Sequence, residues 1–150
     1  MTETQREEHH IAYVIPGFEK SGSSPRAYQW KSWEVNRIIA DHNLFSRAMK
    51  IAKMFIEHVG ISCDFDKRIF HVANPSKFQQ RLSDGDHNQK RMTRILSFLR
   101  ALDRVAADRL LTLIASQINS RYTSLEGLLR VTNTTLDCWI EAVRNLKIPK

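Results

Sequence analysis

Two stretches of the chain repeat apolar residues every three or four positions, and this spacing constrains the fold more than any other feature. In the first stretch the apolar positions are Leu44, Phe45, Ala48, Met49, Ile51, Ala52, Phe55, Ile56 and Val59. In the second stretch they are Met92, Ile95, Leu96, Leu99 and Leu102. Such stripes are typical of amphipathic helices, which are stable only when their apolar faces pack on one another. The pattern therefore predicts a core made of helices.

The first half of the chain divides into shorter segments around this helix. We predict a helix from Ser32 to about Ala40 and another from 43 to 59, which stops at Gly60 because glycine favours helix C-caps. Residues 61–74 alternate weakly between polar and apolar, as a short hairpin or an irregular loop would. Ser76, with Gln79 three residues later, has the spacing of a capping box and predicts a helix to about Leu82.

The second half of the chain continues the helical pattern. Another helix is predicted after Asp103, and Ser124 and Thr134 are predicted N-caps of two final helices, the last ending before Pro149. Residues 1–10 are a loose lead, followed by an extended or irregular N-terminal segment. The expected fold class is all-α, with residues 1–150 forming a single compact domain of six or seven short helices.

Composition limits the class of protein and its location. The 150 residues carry a formal net charge of +7, which favours an acidic partner such as nucleic acid, an anionic membrane surface or an acidic protein. No apolar run approaches the roughly 18–20 residues needed for a membrane span, and the polar N-terminus is no signal peptide. Cys63 and Cys138 fit reduced thiols, so we expect an intracellular, cytoplasmic protein. Cys138 is expected in the core, as are Trp30, Trp33 and Trp139, although Trp30 could be exposed.

The pair His87-Asn88 stands at the start of the second periodic helix and is the first candidate site. In a structural interpretation, Asp86 or Asn88 caps the first turn and His87 is incidental. In a functional interpretation, Arg91 and Arg94 follow one turn later and bind an anion at the helix N-terminus. The triplet Asp-His-Asn also occurs at 41–43, where it again precedes a predicted helix.

Two rows of basic residues form the second candidate site. Arg47, Lys50 and Lys53 share one helix face, and Lys90, Arg94 and Arg104 are assigned to another. If both rows lay on one side of the fold, they could bind nucleic acid. The alternative hypothesis is therefore a basic nucleic-acid-binding protein encoded on a mobile element. Most rows of charge are only solvated faces, and aromatic residues suited to base stacking are few.

Catalytic and metal-binding motifs are missing from the sequence. The chain has no GxSxG, HExxH, Walker A or GxGxxG pattern, and its paired aspartates do not continue into a calcium loop. We therefore expect a protein that is not an enzyme, with no catalytic residues, no metal and no cofactor.

The segment HNQKRMTRILSFLRALDRVAADRLL, residues 87–111, resembles the conserved region of the opioid growth factor receptor family. That region carries the pattern HN-x-x-R-(I/M)-T-R-I-L-x-x-L-R-x-L in a helix of this kind. The matching residues are His87, Asn88, Arg91, Thr93, Arg94, Ile95, Leu96, Leu99, Arg100 and Leu102. Upstream, HIAYVIP at 10–16 is similar to a degraded form of the family's H-D-Y-I-Q-W-L-F-P signature, although the tryptophan and the acidic residue are absent. The resemblance spans about residues 9–118, with no recognised counterpart for 120–150.

The resemblance implies a helical, non-enzymatic binding domain with a recurrent HN…R…TR surface. Animal members are receptors for an opioid peptide and associate with the nucleus, while bacterial members are known only as receptor-related. Because the animal role depends on context that this short chain lacks, we expect only a binding module for an acidic protein or peptide partner. Two roles for His87 and Asn88 remain: a hydrogen-bonded lock on the upstream segment, or part of a binding site with Arg91 and Arg94.

Overall fold

The structure, a computed structural model, describes residues 30–83, 87–118 and 129–148. These residues form six α-helices and one two-stranded hairpin, so the all-α prediction is confirmed. In chain order the elements are α1 (Ser32–Ala40), α2 (His42–His58), β1 (Ile61–Asp64), β2 (Ile69–Val72), α3 (Pro75–Leu82), α4 (His87–Leu102), α5 (Arg104–Ser116) and α6 (Asn133–Arg144). The predictions for the N-terminal lead and extended segment, for Asp86, for a helix at Ser124 and for Pro149 lie outside the described residues.

Helix α4 is the centre of the packing, and it is buried on more sides than its sequence predicts. It contacts α1, α2, α3, α5 and α6. Its apolar stripe is fully buried at Met92, Ile95, Leu96 and Leu99. The opposite face, which carries Lys90 and Arg94 of the basic row, is partly covered as well, because Ser97 is buried and Arg94 is half-buried, whereas Lys90 is exposed. The hydroxyl of Ser97 donates to the carbonyl oxygen of Thr93, which satisfies its polar group inside the core.

The first two helices meet at a sharp corner. Only Asp41 separates α1 from α2, and its extended backbone (φ −110°, ψ 112°) turns the chain between them. The carboxylate of Asp41 accepts the backbone N–H groups of Asn43 and Leu44, so it is the N-cap of α2. The inside of this corner faces α4.

Gly60 follows Val59, the C-cap of α2, so the predicted helix stop is confirmed, and the segment after it is the hairpin rather than the irregular loop. The φ of Gly60, +83°, lies in the left-handed region, which glycine adopts without a Cβ penalty. The carbonyl oxygen of Gly60 then accepts the N–H groups of Ala73 and Asn74, which brings the end of the hairpin back to its beginning. The strands pair antiparallel from Ile61 opposite Val72 to Asp64 opposite Ile69.

Two predicted helix starts are wrong. Helix α3 is capped by Asn74, whose side chain accepts the N–H of Lys77, and not by Ser76. Pro75 explains the difference, because proline suits the first helical position and disfavours a helical residue before it. Helix α6 is capped by Thr132, and Thr134 lies inside the helix.

Two predicted core positions are also wrong. Cys138 is exposed and Trp33 is 57% exposed, because their helices turn those faces to solvent. Trp139 is fully buried, as expected, and Trp30 is partly buried against the core. Within the described residues, none of the helices combines the length and the apolar character that crossing a bilayer requires.

Candidate functional site

The start of α4 contains a buried asparagine. Asn88 is fully buried within the first turn, and its Oδ1 accepts a hydrogen bond from Nη1 of Arg91 at 3.2 Å. Since Asn88 is inside the helix, it is not the N-cap that the sequence allowed. The side chain of His87 lies outside the described part. The amide and the guanidinium therefore form one polar pair within α4.

Gln89 connects three helices, although no sequence motif identified it as a candidate residue. Its Nε2 donates to the carbonyl oxygen of Leu82 at the end of α3, at 3.1 Å. Its Oε1 accepts from Oγ1 of Thr135 in α6, at 3.3 Å. Its own backbone carbonyl accepts from Nε1 of the fully buried Trp139, at 3.1 Å, and from Oγ1 of Thr93. No local pattern predicts these contacts, because the partners in α6 are about fifty residues away in the sequence.

Arg100 makes a second connection between α4 and α6. Its Nε donates to the carbonyl oxygen of Val143 at 2.8 Å, and the side chain is half-buried. Val143 lies in the last turn of α6, where carbonyl groups have no partner within the helix. Much of the family-like segment therefore holds helices together, which agrees with a structural role for part of it.

Arg91 and Arg94 lie on one side of α4, together with Phe98. Positions 91, 94 and 98 are spaced i, i+3 and i+7, which places them in one stripe. Burial lowers the pKa of Arg94, and the neighbouring positive charge of Arg91 lowers it further. Both effects disfavour the charged form of Arg94, and a negative charge nearby would oppose them.

Phe98 is also part of a groove inside the corner between the first two helices. This α1–α2 groove has a volume of about 380 Å³. Its lining is Trp30, Trp33, Glu34, Arg37 and Ile38 from the first wall, Leu44, Arg47, Ala48 and Ile51 from the second wall, and Phe98 from α4. The rings of Trp30 and Phe98 pack with their centroids 5.6 Å apart. The groove is thus mainly apolar, within the size range of ligand-binding sites.

Two arginines give the walls of the α1–α2 groove a positive charge. Arg37 comes from α1 and Arg47 from α2. Among the described residues, no carboxylate lies within ion-pair distance of either guanidinium. The carboxylate of Glu34, which also lines the groove, accepts the backbone N–H of Lys31 at 3.2 Å. An acidic group entering the groove would meet both arginines.

The remaining candidate residues do not line this groove. Lys50 and Lys53 are exposed on α2, and Nζ of Lys53 lies 3.8 Å from Glu57. Lys90 is exposed on α4. Arg104 does not continue the row on α4, because that helix ends at Leu102 and Arg104 begins α5.

Cysteine chemistry does not contribute a reactive group at this site. Burial raises the pKa of the Cys63 thiol to about 12, and the nearby carboxylates of Glu57 and Asp64 add to the effect against the opposing charge of Lys53. A buried thiol with such a pKa is a poor nucleophile at neutral pH. Within the part of the chain that the structure describes, no three His, Cys, Asp or Glu side chains form a metal-binding group.

The fold and the site define a small helical domain with a cationic, apolar groove beside its central helix. A model of the opioid growth factor receptor (OGFr) conserved region matches residues 3–148. The chain therefore belongs to the opioid growth factor receptor family. The match includes residues 120–148, so the expectation that this part of the chain has no counterpart in the family is wrong. No curated protein and no solved structure matches the chain.

Proposed function

We propose that this protein is a non-enzymatic interaction module that binds an acidic protein or peptide partner. The observation that carries the proposal is the α1–α2 groove, where apolar side chains lie between two arginines that no described carboxylate neutralises. Membership of the receptor family agrees with an interaction role. An apolar floor supplies affinity, and charges at its edge select an acidic partner over other partners.

Several other arginines are engaged within the fold, which favours the groove over a general basic surface. Arg81 donates to the carbonyl oxygen of His58 at the end of α2. Arg109 donates to two carbonyl oxygens in the turn of the hairpin, and Arg68 pairs with Asp103 at 3.0 Å. Together with Arg100, these side chains contribute part of the net positive charge and have partners within the fold. Their charge is therefore not evidence for an acidic partner.

A displayed library of twelve-residue peptides, selected against the full chain, tests the proposal. We expect the enriched peptides to contain more Asp and Glu than the starting library and at least one large apolar residue. Synthetic copies of enriched peptides should bind the full chain in solution, and replacing Asp by Asn and Glu by Gln should weaken binding at least tenfold. Enrichment that ignores charge, or no enrichment, would contradict the proposal.

Labelled single- and double-stranded DNA and RNA, titrated at two salt concentrations, provide the comparison with nucleic acid. Tight, salt-sensitive binding would replace the proposed partner with nucleic acid, because released counterions make such affinity fall with salt. We expect weak binding at physiological salt. Turnover of a nucleotide or ester substrate that depends on Arg94 would refute the non-enzymatic part of the proposal.

A further inference from the structure

The walls of the α1–α2 groove also indicate the shape of the partner. We propose that the groove receives an acidic amphipathic α-helix, with its apolar stripe on the floor and carboxylates on both flanks of that stripe. This inference rests on the proposed function, because it specifies the acidic partner at the same site. Three features of the groove support it: its length, the position of its charges and the composition of its floor.

The length of the groove matches a short helical stripe. Along α2 the lining extends from Leu44 to Ile51, seven helical steps, or about 10 Å at 1.5 Å per step. A partner helix with apolar residues at i, i+3, i+4 and i+7 presents a stripe of the same length, about 10 Å. The floor that meets this stripe is Phe98 together with the buried base of each wall, Ile38 and Ala48, and it is apolar.

The positive charges of the groove lie opposite the two flanks that a bound partner helix would present. Arg37 belongs to the α1 wall and Arg47 to the α2 wall, so positive charge stands on both sides of the floor. In an extended segment, successive side chains point alternately to the floor and to solvent. In a helix, residues beside the apolar stripe point sideways, as the charged e and g positions of coiled coils do. Charges on both walls therefore favour a helix with acidic residues on both flanks.

A designed peptide provides the direct test. The probe is a fluorescein-labelled peptide of eighteen residues, based on alanine, with leucine at i, i+3, i+4 and i+7 and glutamate beside the leucines. Binding to the full chain is measured by fluorescence anisotropy. We expect saturable binding that weakens at least tenfold when the same residues are shuffled, or when a central proline breaks the helix.

Charge reversal on the protein locates the contact. The double variant Arg37→Glu/Arg47→Glu should bind the acidic helix at least tenfold more weakly. It should also gain affinity for the same peptide with lysine in place of every glutamate, which a variant that had merely unfolded would not do. The matched control is Lys50→Glu/Lys53→Glu, which changes the net charge equally on exposed positions of α2 outside the groove. We expect its affinity to change less than threefold.

The outcomes separate this inference from the proposed function. If acidic library peptides bind but the designed helix binds no better than its shuffled copy, the helical occupant is refuted and the acidic-partner proposal stands. If no acidic peptide binds, both fail. If the lysine peptide does not bind the Arg37→Glu/Arg47→Glu variant, or if the control variant loses as much affinity, the groove is not the contact surface. Sedimentation that shows a dimer dissociated by the same reversal would identify a second copy as the occupant and overturn the proposal.

Discussion

Arg100 tests whether the family-like segment of α4 is mainly structural. Replacing it by methionine keeps a long apolar stem but removes the donor to the carbonyl oxygen of Val143, which lies 2.8 Å from Nε. A hydrogen bond from a charged donor contributes about 1.5–3 kcal/mol, and a cation near a helix C-terminus adds about 0.3–1 kcal/mol. Because Arg100 is only half-buried, we take the lower part of this range and expect Arg100→Met to lower the free energy of unfolding by about 2 kcal/mol.

Urea denaturation, followed by circular dichroism and by tryptophan fluorescence, measures this loss. A change of about 2 kcal/mol corresponds to a fall in Tm of about 4–8 °C for a domain of this size. The matched control is Arg104→Met, because Arg104 is exposed and its Nε lies 4.0 Å from Asp108. Exposed pairs of this kind contribute less than about 0.5 kcal/mol. If Arg100→Met cost no more than Arg104→Met, the contact between α4 and α6 would not stabilise the fold as argued.

Three further predictions concern the junction after α2 and the cysteines. Gly60→Ala should lower the free energy of unfolding by about 2 kcal/mol or more. A left-handed backbone is unfavourable for alanine by about 1–2 kcal/mol, and the new Cβ would lie 2.5 Å from the carbonyl oxygen of Asn74. An unchanged urea midpoint would contradict this account. In the native protein, a thiol reagent should label the exposed Cys138 rapidly and the buried Cys63 only on unfolding, and equal rates would refute the assigned burial. Since burial raises the pKa of Cys63 from 9.0 to about 12, the buried neutral thiol favours the fold fully below pH 9 and loses that advantage as pH rises towards 12. The native chain should therefore lose more stability above pH 9 than Cys63→Val, as urea denaturation across that range would measure.

Helices were predictable from sequence where one signal dominated. The stripe and the glycine stop placed α2 within one residue of its observed ends, and Ser32 to Ala40 is the observed α1. The N-caps were less predictable. Asn74 and Ser76 both have side chains that can cap a helix, but only Asn74 precedes Pro75 and has the extended backbone of an N-cap. Packing decided what local spacing could not, since α4 contacts helices from both halves of the chain and buries Ser97, which lies opposite its apolar stripe.

The candidate site was only partly predictable for the same reason. Arg47 was identified as a basic position, but its place opposite Arg37 in a groove depends on the corner at Asp41. Gln89 was missed, because its importance comes from partners in α3 and α6 that no local pattern connects to it. Side chains that join distant elements carry no periodic signal, whereas stripes and caps do.

The fold separates the arginines that contribute to the net positive charge into those bonded within the protein and those available to a partner. Arg81, Arg100 and Arg109 each donate to backbone carbonyl oxygens, two of them in the last turn of a helix where such oxygens lack partners. A cation at a helix C-terminus is stabilised by the helix dipole, so Arg81 and Arg100 have a structural reason to be basic without any acidic ligand. Arg37 and Arg47 have no such partner among the described residues and lie beside an apolar floor. Recognition of an acidic partner is therefore best sought at these two residues, and a net charge of +7 alone is weak support for nucleic-acid binding.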